Sequence, residues 1–149
     1  MRFTARTEYG FVCMAYLASQ YTKGNAVSIK QIAEHGHYPV AFTEKILQGL
    51  RQAGLVTARH GNQGGYQLAR PPKEMTLKSI IDVLEGATFE VFCKPETREH
   101  VICAHFCLCG IKPVWQKTKD LLDKFYESIT LDTLAKDELE VRKILPGIA

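Results

Sequence analysis

The residues with the most obvious chemical potential in this 149-residue sequence are four closely spaced cysteines. They form the pattern Cys93-x9-Cys103-x3-Cys107-x-Cys109, whereas the fifth cysteine, Cys13, lies far away in the sequence. Thiolates bind soft metals and iron–sulfur clusters, and pairs of thiols form reversible disulfides. Four cysteines within seventeen residues therefore indicate a metal, redox or catalytic site rather than packing.

The spacing of these cysteines favours an iron–sulfur cluster. A structural zinc site usually contains two C-x(2–4)-C pairs, and only Cys103 and Cys107 resemble one such pair. Irregular spacing in a loop suits a cluster better, because a loop can wrap around a large inorganic core. Zinc, a dithiol redox switch and a purely structural role stay open as alternatives.

No catalytic constellation accompanies the cysteines. The carboxylates are dispersed along the sequence, and there is no nucleophile elbow. His100 and His105 are close to the cysteines in sequence, but catalytic Cys–His partners are usually distant in sequence. We therefore predict that the protein is not an enzyme and has no small-molecule substrate.

Charge is distributed unevenly, although the formal net charge is only +3. Residues 1–75 carry nine Lys/Arg and four Asp/Glu, a balance of +5, whereas residues 76–149 carry ten and twelve, a balance of −2. A basic N-terminal half suggests a polyanionic partner. The sequence has neither an apolar run long enough for a membrane span nor a signal-peptide region, so we expect a cytoplasmic protein with no membrane partner.

The N-terminal half contains the pattern of a helix-turn-helix. Residues 4–22 have apolar residues at helical spacing, and Cys13 lies on that stripe, so we interpret Cys13 as a core residue. Ser28 and Gln31 fit a capping box at the start of a short second helix. After a break at His35-Gly36-His37-Tyr38, a third helix is predicted over Pro39–Ala53. Two helices joined by a short glycine-containing turn are typical of a helix-turn-helix.

The segment after the third helix is predicted to form a wing. Leu55–Arg59 and Tyr66–Arg70 have the composition of two short strands, and the polar, glycine-rich residues 60–65 separate them. The glycine-rich segment lacks the GK[ST] ending of a nucleotide-binding loop and precedes a strand rather than a helix. We therefore predict a mainly α fold with a winged helix-turn-helix domain over residues 1–75.

Residues 76–149 are predicted to hold the sensor loop and the dimerisation helices. A helix is expected over Thr76–Glu85, and residues 87–111, which contain the cysteines, show no clear period. A long helix is expected over Pro113–Ile129, followed by a short helix ending near Ala135 and a polar, frayed tail. The apolar stripe of the long helix comprises Val114, Leu121, Leu122, Phe125 and Ile129.

The winged helix-turn-helix makes double-stranded DNA the favoured partner. A recognition helix needs polar side chains near its N-terminal end to reach base edges in the major groove. The residues that we place on or near its outer face are Thr43, Glu44, Lys45, Gln48 and Arg51. In the wing, Arg59 and His60 could enter a narrow, strongly negative minor groove. A winged helix that binds protein instead of DNA is the alternative.

Taken together, these segments resemble the IscR/NsrR-type regulators of the Rrf2 family over about residues 1–135. The resemblance rests on the opening MRFTARTEYG, the stretch RQAGLVTARHGNQGGYQLARP, the helix MTLKSIIDVLEG, the cysteine loop and the ending TLDTLA. It implies a winged-helix transcription factor, expected to be a repressor, that forms a homodimer through its long helix and binds a palindromic operator. Many members of this family hold a 2Fe–2S or 4Fe–4S cluster on three loop cysteines.

The resemblance also implies a ligand set. Cys93, Cys103 and Cys109 match the cluster cysteines, and the fourth ligand would be Glu8, in the T-[DE]-Y-G context of nitric-oxide-sensing relatives, or Cys107. Glu8 equally suits the first turn of a helix, where an acid stabilises the N-terminus. The implied function is regulation in response to redox state, nitric oxide or iron status. A metal-free thiol–disulfide regulator, and a module that binds a cluster but no DNA, are the alternatives.

Overall fold

The helix α1, Ala5–Gln20, packs against most other elements of the fold. The computed structural model describes residues 3–24, 26–61, 64–89 and 109–145. Cys13, Met14 and Leu17 on α1 are at most 2% exposed, so the prediction that Cys13 is a core residue is confirmed. The other elements, in chain order, are α2 Ile29–Gly36, α3 Val40–Gln52, β1 Val56–Arg59, β2 Gly65–Leu68, α4 Leu77–Glu85, α5 Ile111–Ser128, α6 Leu131–Leu134 and α7 Glu138–Ile144.

Local capping signals determine where α2 and α3 begin and end. Ser28 Oγ accepts a hydrogen bond from the Gln31 amide at 3.3 Å, and Gln31 Oε1 accepts one from the Ser28 amide at 3.0 Å, which confirms the predicted capping box. His37 ends α2 in the left-handed region, with φ of 56°. Pro39 is the N-cap of α3 rather than its first residue, one position away from the prediction.

The wing is a two-stranded antiparallel hairpin whose register pairs Val56 with Leu68 and Arg59 with Gly65. The second strand is held by a further bridge, in which Val27 and Tyr66 exchange two backbone hydrogen bonds of 2.8 Å. Gly65 lies so close to this bridge that a β-carbon there would be 2.3 Å from the Val27 carbonyl oxygen. Only glycine therefore fits at the start of β2.

One hydrophobic core joins the two halves of the chain. The cluster that contains Met14 and Leu17 of α1 also contains Ile80 of α4 and Leu131 of α6, all at most 2% exposed. The core therefore continues across the predicted domain boundary at residues 75 and 76.

The apolar residues of α5 are divided between two faces. Ile129, just after α5, is buried, and Leu122 is half-buried, whereas Val114, Leu121 and Phe125 are exposed. A salt bridge of 3.7 Å between Lys78 and Asp123 links α4 to α5 on the inner side. The single apolar stripe expected from the sequence therefore consists of an inner face and an outer face.

The C-terminal segment is more ordered than the sequence suggested. Residues after 135 were expected to be frayed, but α7 spans Glu138–Ile144 and begins with a capping box between Asp137 and Glu140. That expectation was wrong, because the capping box satisfies amide groups that a polar tail would otherwise leave to water. Among the helices that the structure describes, none has both the length and the apolar character needed to cross a membrane.

Candidate nucleic-acid interface and cysteine site

The outer face of α3 presents four of the five α3 side chains proposed to read DNA. Glu44, Lys45, Gln48 and Arg51 are all exposed. Across the described part of the chain, none of them forms a salt bridge or a side-chain hydrogen bond with another residue. This face therefore offers hydrogen-bond donors, acceptors and charges that are not paired with any other described residue.

Thr43 does not belong to this face, and the expectation that it lies there was wrong. Its side chain is completely buried, and its hydroxyl donates a hydrogen bond of 3.1 Å to the carbonyl oxygen of Pro39. The helical period places Thr43 on the same side as Ile46, Leu47 and Leu50, which form the core-facing side of α3. Thr43 is therefore a packing residue of the first turn.

The wing carries two of the predicted residues at its outer end. Arg59 is the last residue of β1, His60 follows it, and both are exposed. The Gly64 amide donates a hydrogen bond of 2.8 Å to the Gly61 carbonyl oxygen. Gly61 has a φ of 108°, a backbone conformation that only glycine readily adopts. Both side chains are thus exposed where the first strand of the hairpin ends.

Only one of the proposed loop ligands falls within the described residues. Cys109 is half-buried and lies two positions before α5, and its carbonyl oxygen accepts a hydrogen bond of 3.2 Å from the Lys112 amide. Cys93, Cys103 and Cys107 lie outside the described residues. Glu8 is exposed in the first turn of α1. Within the ranges described, no group of three or more His, Cys, Asp or Glu side chains could hold a metal ion.

Cys13 differs chemically from Cys109. It is 1% exposed, and burial raises its pKa to about 11, although a backbone hydrogen bond partly opposes the rise. A thiol with that pKa is protonated at neutral pH, and metal ligation and thiol exchange both require the thiolate. Cys13 therefore serves the core and not the cysteine site.

The comparison with protein families decides what kind of winged helix this is. The family described as Rrf2, iron-dependent transcriptional regulator, matches residues 3–137. The chain belongs to the Rrf2 family. The resemblance drawn from the sequence, and with it the mainly helical winged-helix fold, is confirmed.

Solved structures of other Rrf2-type regulators are similar to this chain over nearly its whole length. The IscR of T. potens is 32% identical to this chain and superposes with a TM-score of 0.69. The match covers 90% of this chain and 86% of the IscR chain. CymR, the global cysteine regulator of B. subtilis, is 29% identical, with 92% and 99% coverage and a TM-score of 0.71. The oxidised form of CymR from Staphylococcus aureus is 28% identical, with 92% and 98% coverage and a TM-score of 0.69.

Two aromatic stacks in this Rrf2 chain were not anticipated from its sequence. The rings of Tyr9 and Tyr38 stack with centroids 3.9 Å apart, and those of Tyr16 and His35 stack at 4.0 Å. The first pair joins α1 to the turn between α2 and α3, and the second joins α1 to the last turn of α2. Tyr9 and Tyr16 are seven residues apart, so they lie on one face of α1, and that spacing was the available signal.

Proposed function

We propose that this Rrf2 regulator is a homodimeric transcriptional repressor that reads a palindromic operator with α3 and the wing. The observation that carries the proposal is the outer face of α3. Its side chains Glu44, Lys45, Gln48 and Arg51 are exposed and form no salt bridge or side-chain hydrogen bond with other described residues. Glu can accept from cytosine, and Lys or Arg can donate to guanine. Arg59 and His60 are proposed to enter the adjacent minor groove.

The outer face of α5 supports the homodimer. Ile111, Val114, Leu121 and Phe125 are 42%, 52%, 57% and 39% exposed in the single chain. Their spacing of three, seven and four residues follows one seam of a helix, as in a coiled-coil heptad. Pairing of this seam with the same seam of a second copy would bury all four side chains. Such a dimer would present two α3 helices to half-sites separated by one helical turn of DNA or a multiple of it.

The proposed sensor is an iron–sulfur cluster held by Cys93, Cys103 and Cys109, with Glu8 or Cys107 as the fourth ligand. The support is the chemistry of the cysteine set, the iron dependence in the description of the family, and the similarity to an IscR. A bound cluster would supply a group that reacts with oxidants and nitric oxide. Cys109 lies two residues before α5, so a ligand at this thiol would act directly on the start of the proposed dimer helix.

A metal-free thiol–disulfide regulator is the second candidate. It is favoured by the similarity to two CymR structures, one of which is an oxidised form. In this alternative, the same loop cysteines would form and break a disulfide, and the DNA-binding surface would be unchanged.

Selection of DNA from a random-sequence pool tests the proposed function. Purified under anaerobic conditions, the protein should enrich palindromic sequences, and its affinity for them should fall steeply with salt. Enrichment that disappears on air exposure, in protein that contains iron and sulfide, would support the cluster as sensor. The same change in iron-free protein would support the thiol alternative, and a failure to enrich any sequence would refute DNA binding.

A further inference from the structure

Arg6 of α1 lies across a glycine on the outer edge of α3. A β-carbon built on Gly49 would be 2.8 Å from Arg6 Nη2, closer than real β-carbons come to such an atom. The guanidinium group therefore occupies the space that a side chain at position 49 would fill. Gly49 is otherwise a poor choice for the middle of a helix, because glycine lowers helix stability relative to alanine.

Arg6 and Lys45 border a cleft of about 310 Å³ on this side of α3. The amide side chains of Gln48 and Gln52 also line the cleft. No described acidic residue lies within salt-bridge distance of either cation. The cleft thus combines two positive charges that form no salt bridge with a described residue and neutral hydrogen-bond donors, and a site for an oxyanion has this chemistry.

The position of this cleft on α3 matches the wall of a DNA groove. An α-helix with its side chains is about as wide as the major groove, roughly 10–12 Å, so the flanks of an inserted helix lie against the two backbones. Gly49 and Arg51 are two residues apart and therefore point toward nearly opposite flanks of α3. Arg51 supplies a cation on one flank, and Arg6 supplies one on the flank where α3 itself has only a glycine.

We infer that Arg6, beside Lys45, binds a phosphate of the DNA backbone, and that the absence of a side chain at Gly49 lets the Arg6 guanidinium lie across α3 without being pushed aside. This inference rests on the proposed DNA-binding function. Glu85, an acid that interacts electrostatically with Arg6, accepts hydrogen bonds from the amide and hydroxyl of Thr4 at 2.7 and 2.8 Å. Glu85 is therefore engaged at the start of α1. The charge of Arg6 lowers the pKa of Glu85, but among the described residues no salt bridge joins the two, so the donors of the guanidinium can meet a phosphate.

The test compares Arg6→Gln with Lys143→Gln, which removes one charge from an exposed residue on α7. The probes are a duplex selected by the wild-type protein from a random pool and a mixed-sequence duplex of equal length. Each lost phosphate contact should reduce the salt slope of binding by about 0.9 and weaken binding about fivefold near 0.15 M salt. Arg6→Gln should do so on both probes, because a phosphate contact carries no sequence information. Lys143→Gln should bind like the wild type.

Gly49→Ala provides the second variant. Because alanine is the better helix former, the thermal unfolding temperature of the variant should be equal to or above that of the wild type. Its DNA binding should weaken, because the added methyl group displaces the Arg6 guanidinium. In an Arg6→Gln background the same substitution should have no further effect on binding.

Three results would overturn the inference. One is an Arg6→Gln protein with wild-type affinity and salt slope. Another is Gly49→Ala that weakens binding equally with and without Arg6. In either case the wild type would still bind DNA, so the proposed function would stand. A wild-type protein that binds neither duplex would refute both.

Discussion

Glu85, the last residue of α4, accepts hydrogen bonds from both the backbone amide and the hydroxyl of Thr4, at 2.7 and 2.8 Å. Thr4 is the N-cap residue of α1, and its own side chain makes no capping hydrogen bond. A carboxylate from a helix 81 residues away in sequence thus stabilises the start of α1. The negative charge at this position also interacts favourably with the positive end of the helix dipole.

We expect the contribution of Glu85 to depend on pH. Partial burial raises its pKa, but the nearby hydroxyl of Thr7, the hydrogen bonds from Thr4 and the charge of Arg6 outweigh this effect and lower the pKa overall. A lowered pKa means that the stabilisation is present above the pKa of the unfolded chain and is lost as pH falls through the folded value. Glu85→Ala should reduce the free energy of unfolding by about 1 kcal/mol at pH 7.

Chemical denaturation between pH 3 and pH 7 measures this effect. The difference between wild type and Glu85→Ala should shrink as the pH falls below about 4, where an ordinary glutamate protonates. Glu74→Ala is the matched control, because Glu74 is exposed in the turn before α4. A pH-independent difference for Glu85→Ala would contradict the charge-based explanation.

The outer face of α5 should determine the oligomeric state. Leu121→Asp would place a charge in the centre of the proposed seam, and the cost of burying an unpaired carboxylate there should convert the dimer to a monomer. Leu139→Asp is the control, since Leu139 is 70% exposed on α7, outside the seam. Sedimentation equilibrium distinguishes the two variants, and a Leu121→Asp protein that stays dimeric would show that another surface pairs the subunits.

The cysteines should separate into two classes on anaerobic reconstitution with iron and sulfide. Cys109→Ala should lose most of the bound iron and the visible absorption, because one ligand of the proposed cluster is missing. Cys13→Ala should retain both, since the raised pKa of the buried Cys13 keeps it a thiol. Iron and sulfide analysis with visible spectra provides the measurement, and wild-type content in Cys109→Ala would remove this residue from the ligand set.

Gly65 should tolerate no side chain. A β-carbon there would meet the backbone of Val27, which cannot move aside as the end of a flexible side chain can. Gly65→Ala should therefore lower the free energy of unfolding by at least about 2 kcal/mol. Gly110→Ala, where a β-carbon meets nothing within 4 Å, should have little effect. Urea denaturation of both variants checks the prediction, which fails if they are equally stable.

The sequence was most informative where structure depends on neighbouring residues. The capping box of Ser28 and Gln31, the break at His37 and the hairpin all follow from local signals, and all are present. The capping box of Asp137 and Glu140 was an equally local signal, but the polar composition of the tail obscured it.

Contacts between distant elements could not be obtained in this way. The two faces of α5 depend on where α4 packs, whereas the burial of Thr43 could have been predicted from its helical spacing to Ile46, Leu47 and Leu50. The crossing of Arg6 over Gly49 joins two helices and leaves no periodic pattern in the sequence. Such relationships require the tertiary arrangement.

The continuous core has a consequence for the fate of a damaged chain. Met14 on α1 shares one core cluster with Ile80 and Leu131 of the C-terminal half, and α1 packs against both α4 and α6. A fragment that ended near residue 75 would expose this apolar surface, so the winged helix would not persist as an independently folded remnant. If the proposed function holds, a single cleavage between the halves would therefore abolish DNA binding and signal response together, and no DNA-bound remnant would escape regulation.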